Sequence, residues 1–237
     1  MSEMTHKAGR AAFGKAIDIA MKNADKNWEK EVVRLLDLSE NYMKGEKLDV
    51  DYEKARKMVC DRDGALNKYI SRILAEVDPH VLKTTALNLG FEAFFHGTKT
   101  IRKMRVVHQC NVPWLILMDP TSACNLHCTG CWAAEYGNRL NLTFEEMDSV
   151  ISQGKELGIY FYMFTGGEPL VRKSDILRLC EKHDDCAFLA YTNGTLVDEA
   201  FCIEMKRAGN LYLAISLEGF EAVNDLRRGG GVYEKVM

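Results

Sequence analysis

Residues 113–132 read PWLILMDPTSACNLHCTGCW. The apolar run from Trp114 to Met118, bounded by prolines, is typical of a short strand that is buried on both faces of a parallel sheet. Three cysteines follow this run within one loop, at Cys124, Cys128 and Cys131. Because sites in parallel sheets lie at the carboxyl ends of the strands, this order predicts a functional site at that end.

Three further apolar runs predict three more strands, each preceded by a helical segment. The runs lie at residues 160–164, 187–191 and 211–217. The helix before the second strand begins with a capping box, Thr143 to Glu146, and the helix before the fourth ends at Gly209, a usual C-cap residue. Alternation of strands and helices predicts an α/β fold with a parallel sheet.

Residues 1–108 have apolar side chains at helical spacing, which predicts an N-terminal all-helical domain of three or four helices. Polar breaks predict loops near residues 40–49 and 61–64. Residues 81–105 form a longer amphipathic pattern with a basic end. Such a pattern also suits a helix at a membrane surface, but packing of its aromatic face on the following domain is the preferred interpretation.

The composition of the 237 residues is that of a soluble globular protein, with 47% apolar and 27% charged residues and a net charge of −3. This charge indicates no nucleic-acid partner. No signal peptide and no run of about 18 to 20 apolar residues is present, so we predict a cytoplasmic protein without membrane contact. The eight cysteines are then expected to be reduced and to serve as ligands or buried thiols.

Three interpretations of the cysteine loop compete. A structural zinc ion needs a fourth ligand, and His127 is so close to Cys128 that binding the same ion would be awkward. A redox dithiol of Cys128 and Cys131 leaves Cys124 without a role. An iron–sulfur cluster normally takes four cysteines, so a cluster held by three keeps one iron open for another ligand. The third interpretation is preferred because the open iron provides a function.

The cysteine loop and three later motifs together resemble the radical S-adenosylmethionine (radical SAM) superfamily. The motifs are Cys-x3-Cys-x2-Cys after the first predicted strand, Gly166-Gly-Glu-Pro169 after the second, Thr192-Asn-Gly194 after the third and Ser216-Leu-Glu-Gly219 after the fourth. The resemblance covers roughly residues 113–237 and leaves the helical half unexplained.

The resemblance implies an enzyme that carries a 4Fe-4S cluster and S-adenosylmethionine. Cys124, Cys128 and Cys131 would hold the cluster, which splits S-adenosylmethionine reductively into methionine and a 5'-deoxyadenosyl radical. The radical then abstracts hydrogen from a substrate. No catalytic residue beyond the cluster is assigned.

The resemblance also implies cofactor-binding positions. Gly166 and Gly167 would let the backbone approach the methionyl amino group, and Glu168 would place negative charge near it. Further positions are Gly130 at the adenine, Asn193 at cofactor or substrate, and Ser216 at the ribose or carboxylate.

One departure from the family pattern is that Gly130 stands where many members have an aromatic residue. Trp132 follows the third cysteine instead, and its role is left open. Glu218 is only a weak candidate for cofactor binding.

Several expectations concern the whole protein. The resemblance implies an external one-electron reductant of flavodoxin or ferredoxin type. The substrate is unidentified, and peptide modification, methyl transfer, and lipid or cofactor biosynthesis all stay open. The alternative function is a non-enzymatic iron–sulfur or metal-binding module whose helical domain binds a partner.

We expect a helical domain at residues 1–108 and a radical SAM core at residues 109–237. The family's barrel has six strands, whereas four are predicted here, so this core is expected to be the first four βα units of a partial TIM-type barrel. A truncated barrel of this kind is expected to be an impaired enzyme.

Overall fold

The computed structural model describes residues 3–22, 24–46, 50–135, 137 and 139–237. The N-terminal region is helical: α1 (Glu3–Lys22), α2 (Ala24–Tyr42), α3 (Tyr52–Cys60), α4 (Ala65–Glu76), α5 (Pro79–Thr85), a π-helix (Ala86–Gly97) and α6 (Thr98–His108). This exceeds the predicted three or four helices, because apolar spacing does not distinguish α5, the π-helix and α6. The loop predicted at 61–64 is confirmed between α3 and α4. The loop predicted at 40–49 starts later, after Tyr42, and residues 47–49 lie outside the described residues.

A parallel four-stranded sheet follows, in the order β1-β2-β3-β4. The strands are β1 (Leu115–Met118), β2 (Phe161–Phe164), β3 (Ala187–Thr192) and β4 (Leu211–Ile215). In the register, Leu115 lies opposite Phe161, Phe161 opposite Ala187, and Phe188 opposite Leu211. The four predicted strands and the α/β class are therefore confirmed, with the fourth strand ending two residues early.

Helices connect and follow the strands: α7 (Phe144–Glu156), α8 (Lys173–Lys182), α9 (Glu199–Ala208), α10 (Glu221–Arg228) and α11 (Val232–Val236), with 3-10 turns at Trp132–Glu135 and Pro169–Arg172. Both halves of the predicted capping box are present at the start of α7. Gly209 ends α9 with a φ of 74°, as predicted for a left-handed C-cap.

The two faces of the sheet differ in burial. Tyr162, Phe164 and Phe188 are fully buried on one face, where the Tyr162 hydroxyl donates to the carbonyl oxygen of Ile151 in α7 at 2.9 Å. On the other face Leu117 is 53% exposed. The expectation that β1 is buried on both faces is therefore wrong, because α7 and α8 cover only one face.

The α5–α6 part of the helical region lies along the amino ends of the strands. The Asn88 amide donates to the carbonyl oxygens of Asp184 and Cys186, just before β3, at 2.7 and 2.8 Å. In the same way, His80 in α5 is 2.9 Å from the carbonyl oxygen of Arg207, ahead of β4. These helices therefore occupy the edge of the sheet opposite to the cysteine loop.

The sheet and the helices next to it share one hydrophobic core. Ala93 of the π-helix and Ile101 of α6 belong to the same buried cluster as Met147 and Phe188. The Trp114 indole also donates to the carbonyl oxygen of Ala93 at 3.0 Å. The domain division after residue 108 stays a prediction. The shared core and the Trp114 hydrogen bond both join residues on the two sides of this boundary. None of the described helices is both long enough and apolar enough to cross a membrane.

Candidate functional site

The cysteine loop leaves the carboxyl end of β1, as predicted. Cys124, Cys128 and Cys131 are free thiols and are each partly buried. The Cys131 backbone N–H donates to the carbonyl oxygen of Cys128 at 3.1 Å, which closes a tight turn. The loop thus presents three thiols at the edge of the sheet where the four motifs converge.

Two backbone hydrogen bonds join the loop to the Gly-Gly-Glu-Pro turn after β2. Gly167 N donates to Thr121 O at 2.9 Å, and Glu168 N donates to Ala123 O at 2.8 Å. A Cβ at Gly167 would lie 2.2 Å from Ala123 O. The space left by this glycine is therefore filled by the cysteine loop itself, whereas the resemblance assigns it to the methionyl end of the cofactor.

Gly166 has a φ of 105°, which favours glycine because residues with a Cβ rarely adopt it. A Cβ there would also lie 2.7 Å from Thr121 O. Both glycines of the motif are thus required for close approach between the two turns.

Glu168 ties the end of β2 to the end of β3. Its side chain is 1% exposed and accepts hydrogen bonds from Leu170 N at 2.9 Å, the Thr192 hydroxyl at 2.7 Å and Asn193 N at 2.8 Å. Both carboxylate oxygens are engaged by the protein. The structure therefore gives Glu168 a positioning role, in addition to any effect of its charge on a cofactor.

Asn193 extends the same network to the cysteine loop. Its side-chain amide donates to Asn125 Oδ1 at 2.9 Å, and Asn125 in turn donates to the Thr195 hydroxyl at 2.7 Å. Thr195 N and its hydroxyl both donate to Asn193 Oδ1, at 2.9 and 2.7 Å. Three turns from different parts of the chain are thus fastened together.

Sequence reasoning assigned no role to three members of this network, which are Asn125, Thr192 and Thr195. A signal for them existed, since Asn125 directly follows the first cysteine and the two threonines flank Asn-Gly. The sequence motifs alone do not identify the hydrogen-bond partner of each side chain.

Two of the predicted cofactor-binding positions have groups that are open to a ligand in the described part of the chain. The Ser216 backbone N–H donates to Thr192 O at 2.9 Å, while its hydroxyl has no hydrogen-bond partner among the described residues. Gly130 is exposed with a φ of 71°, and no atom lies within 4 Å of the place where its Cβ would be.

The end of α10 lies against the cysteine loop. Thr129 N donates to the carbonyl oxygen of Arg227 at 2.8 Å. Glu218 pairs with Arg227 and Arg228, at 2.7 and 2.6 Å. Glu218 therefore holds two cations beside the loop, and this is the role that the structure gives to a residue left open by the sequence.

Burial raises the pKa of the Cys124 thiol, and the nearby Glu168 and other two cysteines add to this effect. Burial also raises the pKa of Cys128, but Arg228 and Arg227 oppose it. The arginines thus supply positive charge that favours a thiolate, the form in which cysteine binds metal.

The three sulfur atoms are spaced more widely in this structure than the thiolates of one zinc site. Zinc–sulfur bonds of about 2.3 Å bring tetrahedral thiolates to roughly 3.8 Å from one another. Among the described residues, the three cysteines do not form a group whose ligand atoms all lie within 4.8 Å. A cluster fits this wider spacing, because each cysteine then binds a different iron.

A cavity of about 530 Å³ lies beside the loop. Its lining includes Asp119, Ser122, Trp132, Gly166 and Gly167. Trp132 is 60% exposed and faces this space. The cavity is large enough for a small-molecule ligand at the converging turns.

The family model of the radical SAM superfamily matches residues 118–237. The chain is 33% identical over 121 residues to an Fe-coproporphyrin III synthase of Methanosarcina barkeri (strain Fusaro / DSM 804), covering 48% of this chain and 30% of the relative. It is 31% identical over 123 residues to a PqqA peptide cyclase of Granulibacter bethesdensis (strain ATCC BAA-1260 / CGDNIH1), covering 50% of this chain and 32% of the relative. The chain thus spans about a third of the length of these curated relatives.

Among solved structures, SuiB of Streptococcus suis bound to S-adenosylmethionine aligns with a TM-score of 0.48 and 16% identity, covering 82% of this chain and 44% of SuiB. Proteins of the matched family use a 4Fe-4S cluster and S-adenosylmethionine. With the family match over half its length, this chain belongs to the radical SAM superfamily.

Proposed function

We propose that the protein is a radical SAM enzyme whose cluster is held by Cys124, Cys128 and Cys131. When bound, the cluster supplies the electron that splits S-adenosylmethionine into methionine and the 5'-deoxyadenosyl radical, which abstracts hydrogen from the substrate. The observation that carries this proposal is the fastening of the cysteine loop to the turns after β2 and β3. A loop held in this way presents its ligands with little reorganisation.

The residues of this chain then have distinct roles. The three thiolates bind iron, and Arg227 and Arg228 balance their negative charge. Ser216 and Gly130 leave a hydroxyl and an open backbone for the cofactor, while Gly166, Gly167, Glu168 and Asn193 hold the turns in place. The cavity beside Trp132 admits the ligand and limits its contact with water.

The proposal extends to the barrel and to partners. We assign the four strands to the first βα units of a partial TIM-type barrel, with the cysteine loop at its mouth. A one-electron donor of flavodoxin or ferredoxin type would deliver the electron. The relatives' names point to different substrates, a porphyrin for one and a peptide for the other, so the substrate class stays open.

Anaerobic reconstitution with iron and sulfide tests the proposal. We expect about four irons per chain and a brown colour. Each of the single variants Cys124→Ala, Cys128→Ala and Cys131→Ala should lose most of this iron. Cys202→Ala is the matched control, since Cys202 is an exposed thiol on α9 and should leave the iron content unchanged.

Cofactor cleavage separates the enzyme from the alternative. With dithionite as reductant, the reconstituted chain should release 5'-deoxyadenosine from S-adenosylmethionine. Bound iron without any cleavage would instead support a non-enzymatic iron–sulfur module. Stoichiometric zinc that persists through iron loading at the three cysteines would refute the cluster.

A further inference from the structure

The helical region contains a second group of metal-ligating side chains, His6 of α1 with Glu92 and His96 of the π-helix. One ligand atom from each of the three lies within 4.8 Å of the others. In the part of the chain that the structure describes, this is the only such group. It is separate from the cysteine loop, because the π-helix lies at the amino ends of the strands.

Glu92 is oriented within this group by its partners. The residue is 0% exposed. Arg10 Nη1 donates to Oε1 at 2.8 Å, and Arg10 Nη2 donates to Asn88 Oδ1 at 2.9 Å. The other carboxylate oxygen, Oε2, lies 2.8 Å from His6 Nε2. Hydrogen bonding through one oxygen is the usual way in which a metal-binding carboxylate is aimed.

The His96 side chain forms no hydrogen bond with the described residues. Its Nδ1 is buried and forms no hydrogen bond. The ring stacks on that of His6 with centroids 3.8 Å apart and an angle of 13°. A buried nitrogen without a hydrogen-bond partner is available to bind a ligand.

Two imidazoles and one carboxylate form a common donor set for zinc, and also for iron(II) and related ions. Bond lengths of about 2.0 to 2.2 Å place neighbouring ligand atoms roughly 3.3 Å apart in a tetrahedral site. The His6–Glu92 pair needs to widen only slightly to reach this spacing, whereas the His96 ring has to turn out of its stack on His6 so that both rings direct a lone pair at the ion. The ion then takes the place of the proton between Nε2 and Oε2, which goes to solvent, and water completes the coordination.

We propose that His6, Glu92 and His96 bind one divalent first-row transition-metal ion. The ion fastens α1 to the π-helix and so strengthens the helical end of the molecule. Two of the three ligands, Glu92 and His96, lie on the π-helix.

Metal analysis of the reconstituted 237-residue chain tests the proposal, with Zn²⁺ as the probe. After incubation with Zn²⁺ and removal of weakly bound ions on a desalting column, we expect one zinc per chain in addition to the iron. His6→Ala and His96→Ala should each lose this zinc. His108→Ala is the matched control, because His108 is exposed at the end of α6 and should keep it.

Thermal unfolding gives a second readout. Zn²⁺ should raise the Tm of the wild-type chain and of His108→Ala, but not that of His6→Ala. His6 is suited to this test because its side chain is 21% exposed, so its removal should not prevent folding. Equal zinc retention in wild type, His6→Ala and His96→Ala would place the ion elsewhere and overturn the proposal. A wild-type chain that retains no zinc would overturn it as well.

Discussion

Gly167 is the residue at which a single methyl group should do most damage to the cysteine loop. Its Cβ position lies 2.2 Å from Ala123 O and 2.6 Å from Ser122 O, both of them backbone atoms that cannot rotate away. Gly167→Ala should therefore displace the loop and cost about 1 to 3 kcal/mol of stability. Iron retained after reconstitution should fall well below the wild-type value.

Gly90→Ala is the control for this prediction. No atom lies within 4 Å of the Cβ position at Gly90, which is also helical. This variant should be neutral or more stable by up to about 1 kcal/mol, with normal iron. Normal iron binding in Gly167→Ala would show that the loop tolerates the displacement.

Glu168 offers a second prediction, since a neutral isostere cannot serve all three of its donors. In Glu168→Gln, the new amide group must face either Asn193 N–H or the donors at Leu170 and Thr192. We expect a loss of about 2 kcal/mol in urea unfolding. The exposed Glu199→Gln on α9 should change stability by less than about 0.5 kcal/mol. Equal urea midpoints for Glu168→Gln and Glu199→Gln would mean that the hydrogen bonds of Glu168 contribute little to stability.

The three cysteines and the two glycines could be identified from the sequence as candidate site residues, because their spacing and order are visible in the chain. The sequence did not predict that Gly167 accommodates Ala123, since a glycine does not reveal what approaches it. Asn125 was missed for a similar reason: its partners Asn193 and Thr195 lie 68 and 70 residues away.

Among the helices, α7 owes its start to local hydrogen bonds. Glu146 N donates to the Thr143 hydroxyl at 3.1 Å, and Thr143 N donates to the Glu146 carboxylate at 2.7 Å. Thr143→Ala should cost about 1 kcal/mol, while Thr143→Ser should cost much less because the hydroxyl is kept. Urea unfolding of the two variants measures the difference, and equal losses would contradict a capping role.

The contact between α7 and α8 predicts a pH effect. His183, which caps α8, is 4% exposed and lies 2.9 Å from Asp148 of α7. Burial lowers the pKa of His183, against the opposing effect of Asp148. Below about pH 6.5, the pKa of a histidine in the unfolded chain, the unfolded chain therefore binds a proton that the folded chain does not. The free energy of unfolding then decreases as the pH is lowered.

His183→Gln isolates this contribution, because glutamine can still donate to Asp148 without titrating. The stability advantage of the wild type over the variant should shrink between pH 7 and pH 5. The pKa of Asp148 is lowered, chiefly by its hydrogen bond with Lys182, so that group affects stability only in more acidic solution. A constant difference across this range would show that His183 titrates normally.

Elements with local signals were thus predicted well, and the π-helix was not. A capping box or a left-handed glycine lies within a few residues of sequence. The pattern of apolar residues in 81–105 does not distinguish the wider turn of a π-helix from the turn of an α-helix.

Across the whole molecule, residues 86–108 complete the core of the sheet. A fragment of residues 109–237 would lose Ala93 and Ile101 from that core and leave Trp114 without its hydrogen-bond acceptor. We expect this fragment to self-associate on size-exclusion chromatography and to unfold without a cooperative transition. A monomeric fragment with cooperative unfolding would instead support the predicted division after residue 108.

The placement of the helices could not be predicted from the sequence. The helical content of residues 1–108 follows from the periodicity of apolar residues, and the parallel sheet follows from the alternation of strands and helices. The π-helix lies at the amino ends of the strands because of contacts such as the hydrogen bond between Asn88 and Asp184, which are 96 residues apart. Nothing local indicates such pairs.

This separation has a consequence during synthesis on the ribosome. The π-helix emerges before the strands whose amino ends it covers, and Asn88 must wait for a partner made 96 residues later. At roughly 5 to 20 residues per second, the delay is about 5 to 20 s, far longer than a helix needs to form. Ala93 and Ile101, which share a buried cluster with Met147 and Phe188 in the finished protein, therefore lack these partners on the nascent chain during that interval. Nascent chains stalled in this window should bind chaperones, and longer ones that include β3 and β4 should release them.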